Sequence, residues 1–86
     1  MRVGIIGIAV YNKDNIQEIN NIISENSEII HGRVGIPMQN NGLNLISLIV
    51  EGDTDVIGKM AGKIGAMDGV EIKSMLMKEK KEKLKV

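Results

Sequence analysis

The chain has 86 residues, no Cys, Trp or Phe, one Tyr, and a formal net charge of zero from eleven basic and eleven acidic side chains. That length sets one domain with a thin core, burying about 60% of the unfolded surface. The missing thiols exclude disulfides, cysteine-ligated iron–sulfur clusters and thiol catalysis, and the missing Phe and Trp exclude an RNA-binding sheet that stacks bases on strand aromatics.

Residues 2–11 read as a strand, rich in Ile and Val with almost no polar positions. One face carries Ile6, Ile8 and Val10, the other Val3, Ile5, Gly7, Ala9 and Tyr11. The start resembles a signal-peptide start, but it is too short, it has no convincing cleavage site, and its removal would delete a strand. Apolar runs throughout fall short of a membrane span, and the expectation is a soluble, cytoplasmic protein with no membrane partner. Asn12, Asp14 or Asn15 then opens a helix, with Asp14 and Gln17 spaced as a capping box. Ile16, Ile19, Ile22 and Ile23 make its apolar stripe, and it ends near Asn26-Ser27.

Residues 28–38 read as a second strand, with Ile30, Val34 and Ile36 on one face and His31, Arg33 and Gly35 on the other. Pro37 cannot donate to a ladder and marks the strand end or a sheet edge. Gln39-Asn40-Asn41-Gly42 carries the Asn-Gly hairpin signal and leads into a strand over residues 43–51. Leu43, Leu45, Ser47 and Ile49 share one face there, and Asn44, Ile46, Leu48 and Val50 the other. Gly52 breaks this strand. Asp53 or Thr54 caps a second helix with Asp55 in its first turn, where a negative charge suits the helix dipole. Val56, Ile57, Met60, Ala61 and Ile64 form its predicted buried stripe. Gly58 and Gly62, four apart, are expected to let a neighbouring backbone approach. Gly65 or Gly69 stops the helix, and residues 70–77 make the last strand.

Strand, helix, strand, strand, helix, strand is the ferredoxin-like order: an α+β sandwich, βαββαβ, with a four-stranded antiparallel sheet and two helices on one face. Residues 1–77 are the expected domain. Residues 78–86 form a lysine-rich tail of five Lys and two Glu, read as a solvated tail or helical extension, with weak nucleic-acid binding as its alternative role. Two helices cover one sheet face only. Val3, Ile5, Leu43, Leu45 and Ile49 would then be bare on the other, which predicts burial against another copy in a homodimer or homotetramer.

No catalytic residues, metal ligands or cofactor are assigned. His31 is the single histidine and has only carboxylates to join it, too few ligands for a transition-metal site in one subunit. Ser24, Ser27, Ser47 and Ser74 have only His31 as a base, and the helical glycines lack a phosphate-loop pattern. Arg33, two residues from His31 and so on its face, is a fork suited to a carboxylate or phosphate. His31 and Arg33 are the candidate ligand-binding pair.

Several segments resemble the iron-only hydrogenase system regulators: Arg33-Val34-Gly35-Ile36-Pro37, Asn44-Leu45-Ile46 with Val50, the run from Asp55 to Gly65, and Gly69-Val70-Glu71-Ile72-Lys73. The last helix and strand are also similar to ACT domains and to the C-terminal domain of nickel-responsive repressors. The resemblance implies an ACT-like domain that assembles as dimers or tetramers and binds a small effector or metal between subunits. The nickel-binding domains use several His and a Cys, where this chain offers His31 alone. The ACT loop after the first strand is replaced by Asn12-Lys13-Asp14-Asn15, so no amino-acid ligand carries over. No DNA-binding domain is attached, so transcriptional regulation would need a separate DNA-binding protein. The function implied is a non-enzymatic regulatory or sensor module. The alternative is a structural, protein-interaction subunit without a ligand.

Overall fold

The computed structural model describes residues 1–38, 40 and 42–78. The strands are β1 (Arg2–Val10), β2 (Ile30–Met38), β3 (Leu43–Gly52) and β4 (Val70–Leu76), and the helices are α1 (Ile16–Glu25) and α2 (Thr54–Gly65). The sheet runs β2-β3-β1-β4, every pair antiparallel. Both helices lie on one face, as the element order predicts.

Local chemistry explains the boundaries. The Asn12 side chain accepts from the Asp14 N–H at 3.0 Å and starts a 3-10 turn over Lys13–Asn15 that feeds α1. The Asn26 amide donates to the Ile22 carbonyl at 2.8 Å, taking one of the acceptors that a helix end leaves open. Asp53 holds the start of α2 through its backbone, its carbonyl accepting from the Ile57 N–H at 3.0 Å; its side chain makes no capping bond. Gly42 and Gly69 have φ of 64° and 74°, a left-handed conformation that favours glycine. At Gly69 this turns the chain so that its carbonyl accepts from Tyr11 N–H at 2.8 Å, and Asn15 donates to the neighbouring Asp68 carbonyl. The β1–α1 and α2–β4 connections are thereby tied. In the predicted turn after β2, Gln39 and Asn41 lie outside the described residues, as do residues 79–86 of the tail.

The core is aliphatic: Ile6, Ile8 and Val10 of β1, Ile46, Leu48 and Val50 of β3, Ile19, Ile22 and Ile23 of α1, and Ile57, Met60 and Ile64 of α2. Among the described residues no polar or charged side chain is buried.

Two expectations for α2 fail. Val56 is 39% exposed, outside the buried stripe. Within the single chain Gly58 and Gly62 do not serve close packing: a Cβ on either would meet nothing within 4 Å among the described residues. The reason is angular. At about 100° per residue, positions 58 and 62 point away from the Ile57–Met60–Ile64 stripe. The close approach belongs to Gly65, where a Cβ would stand 2.8 Å from Ile72 Cγ2, and to Gly52, 2.8 Å from Ile29 Cγ2.

Candidate interface and ligand groove

The strand registers lay out the bare face as a grid. Across β2, β3, β1 and β4 in turn, one row is Ile36, Leu45, Ala9 and Glu71; the next is Val34, Ser47, Gly7 and Lys73; the next is Gly32, Ile49, Ile5 and Met75. Apolar side chains dominate these three rows, their charge is confined to β4, and the middle is lined by Ser47, Gly7 and Ala9. Val3, Ile5, Leu45 and Ile49 are exposed here, 38 to 46%, and Leu43 is half-buried. These are the residues predicted from alternation. Val34, Ile36, Met38 and Met75 extend the same face and were not counted with it. A signal for the β2 residues was present: across the hairpin, Met38 pairs with Leu43 and Ile36 with Leu45, so one face must hold all four.

The expectation that His31 and Arg33 share a face is wrong. Ile30 pairs with Val50, but Gly32 pairs with Ile49, which leaves His31 as the extra residue of a β-bulge. A bulge shifts the alternation by one position. Ile30 therefore packs toward the helices while Val34 and Ile36 lie on the bare face. His31 Nε2 lies 2.9 Å from Glu51 Oε1, and Glu51 belongs to the bare face beside Val3. Both side chains are well exposed, so the pair contributes about 1 kcal/mol at most. Arg33 goes the other way. It stands opposite buried Leu48, and its Nη2 donates to Asn20 Oδ1 on α1 at 2.9 Å.

On the helix side a groove of about 180 Å³ runs between α1 and the outer part of the sheet, lined by Ile16, Asn20, Arg33, Gly35, Asn44 and Ile46 among others. A second hollow of about 260 Å³ adjoins it, with Pro37 and Asn44 common to both and Lys13 on its wall. Asn20 and Asn44 are not site candidates by sequence, because nothing before the register shows that α1 leaves β2 uncovered, while Gly35 stands out only as a small strand residue on the face expected for Arg33. Among the described residues no group of three or more His, Cys, Asp or Glu is placed to hold a metal ion. No helix of the described residues is long and apolar enough to cross a membrane.

A four-stranded antiparallel sheet with two helices on one face and an apolar opposite face defines an α+β domain of ferredoxin-like fold. The chain belongs to the TM1266-like family, described as "Iron-only hydrogenase system regulator, putative", whose sequence model matches residues 2–74. The chain is similar in structure to the uncharacterized protein TM1266 from Thermotoga maritima, at a TM-score of 0.85 and 32% identity, over 90% of this chain and 98% of that one. A formyltetrahydrofolate deformylase from Pseudomonas putida KT2440 matches at a TM-score of 0.61 and 10% identity, over 85% of this chain and 28% of the deformylase. The de novo designed protein Foldit4 matches at 0.57 and 17%, over 92% of this chain and 98% of that one. These last two share the fold. A search of curated proteins finds no match.

Proposed function

We propose that the protein is a non-catalytic regulatory module that acts as a homo-oligomer, burying the bare sheet face against a second copy and taking a small effector or partner where the copies meet. Membership of a family described as regulators of the iron-only hydrogenase system supports the regulatory part of this reading. In it, any effect on transcription passes through a separate DNA-binding protein.

The observation that carries the oligomer is the run of exposed aliphatic residues on the uncovered face, Val3, Ile5, Val34, Ile36, Leu45 and Ile49. Four strands spaced about 4.8 Å apart and seven to ten residues long at about 3.4 Å each present a face of roughly 19 by 30 Å. Two such faces remove about 1,100 Å² before side-chain relief is added, at the threshold of specific interfaces. A chain this short has little other apolar area with which to offset its folding entropy.

Light scattering tests the reading. The expected mass is a multiple of 9.4 kDa at micromolar concentration. Ile5 and Ile49 are direct cross-strand partners on the bare face. Replacing both, Ile5→Lys with Ile49→Lys, is expected to give a single 9.4 kDa particle with an unchanged circular dichroism spectrum. A wild-type chain that already runs at the single-copy mass overturns the proposal.

A further inference from the structure

We propose that the groove between α1 and β2 is a binding site for a small carboxylate, with Arg33 holding the carboxylate and a short hydrocarbon chain lying against Ile16 and Ile46. This names the effector class for the regulatory reading and rests on it for purpose, while the binding chemistry stands on four features of the groove.

The first is charge. Lys13 and Arg33 line the groove and its adjoining hollow, and no acidic residue lines either. An anion entering there meets two cations and no lining carboxylate. The second is the state of Arg33. Its guanidinium has five N–H donors. Its one hydrogen bond to a described residue goes to a neutral amide oxygen, Asn20 Oδ1. That bond steers the fork without neutralising it, and among the described residues Arg33 has no ion-pair partner. A planar fork with donors to spare matches a carboxylate in bidentate fashion.

The third feature is Gly35. Its φ is not positive, and a Cβ there would meet only Ile46 Cγ1, at 4.0 Å, an ordinary contact. Neither backbone conformation nor internal packing calls for glycine at this strand position, where glycine weakens a strand. Its effect is to keep the groove floor open. The fourth is Asn44. It is half-buried against the groove, and its side-chain amide makes no hydrogen bond among the described residues. It is a polar handle beside an apolar wall. Specific small-molecule sites combine a mostly apolar lining with a few placed polar groups in this way.

A groove of about 180 Å³ has room for a carboxylate bearing a short branched chain.

The test is a titration of the full chain with isovalerate, leucine and inorganic phosphate, followed by amide chemical shifts. Isovalerate or leucine is expected to give saturable shifts at Ile16, Asn20 and Arg33 to Gly35. Arg33→Gln is expected to weaken binding at least tenfold, and Gly35→Val to abolish it by filling the floor. Both variants are expected to keep the wild-type mass in light scattering. No saturable shift with either organic acid overturns the proposal, as does Arg33→Gln binding like wild type. Saturation by phosphate alone overturns the carboxylate assignment. Mass and binding are read separately. A single-copy particle that binds breaks the oligomer reading and keeps the groove; an oligomer that does not bind breaks the groove and keeps the oligomer.

Discussion

The two faces of the sheet are built from the same strands and the same kinds of residue, and they have opposite fates. On one, Ile6, Ile8, Ile46, Leu48 and Val50 are closed over by α1 and α2 and reach 0 to 5% exposure. On the other, Ile5, Leu45 and Ile49 alternate with them along the same backbone and stay open. Composition does not separate these faces; coverage does. The covered face is bought by the chain's own helices, while the open face has only an external surface to meet. Where a sheet lies bare by nature, its outer residues are mostly polar. Here the outer face is mostly aliphatic, with Ser47 and Glu51 on β3 and Glu71 and Lys73 on β4 among its few polar positions.

Mutating neighbours on opposite faces is the sharpest way to break that comparison. Leu48→Ala, in a site with no exposure, is expected to cost about 2–5 kcal/mol in urea unfolding. Ile49→Ala, the very next residue, is expected to cost less than about 1 kcal/mol in the separated subunit, yet to weaken assembly in a dilution series. Equal losses in both assays would erase the distinction between the faces. Glycines give the next largest contrast. A Cβ at Gly4 would stand 2.6 Å from the Met75 carbonyl oxygen, so Gly4→Ala is expected to lose about 1–3 kcal/mol by thermal melting. Gly58→Ala, in open space, is expected to gain up to about 1 kcal/mol from helix propensity. A loss at Gly58 would show that something outside the single chain packs there. The smallest effect is at His31→Ala, where removal of the exposed contact with Glu51 is expected to change the unfolding free energy by less than about 1 kcal/mol.

Much of the fold is legible in the sequence because its signals are local. The Asn12 start, the Asn26 end, the aliphatic stripe of α1 and the break at Gly52 each act within a few residues. The antiparallel sheet follows from the element order. The candidate site is less legible, because it depends on register. The alternation that placed Ile5 and Leu45 correctly misplaced Arg33, since one extra residue at His31 inverts the pattern beyond it. Gly32 is the sole hint of that irregularity, and glycine in a strand has other uses. Gly58 and Gly62 do share one side of α2, but no backbone of this chain approaches them there; the helical angle from Ile57 already points them outward. The groove could not be seen at all from residues 30–38, because its second wall comes from Ile16 and Asn20.

The single surplus residue at His31 has a consequence for how the two candidate surfaces are wired. It works as an indexing step in the chain: upstream of it β2 reads in one phase, downstream in the other. Pairing His31 within the ladder, in place of the bulge, would restore unbroken alternation from Ile30 onward, carrying Arg33 round to the oily side and sending Val34 and Ile36 beneath α1. Whether that one residue is left out of the ladder or taken into it therefore decides whether this edge strand shows its charge to the helices or to whatever meets the open sheet.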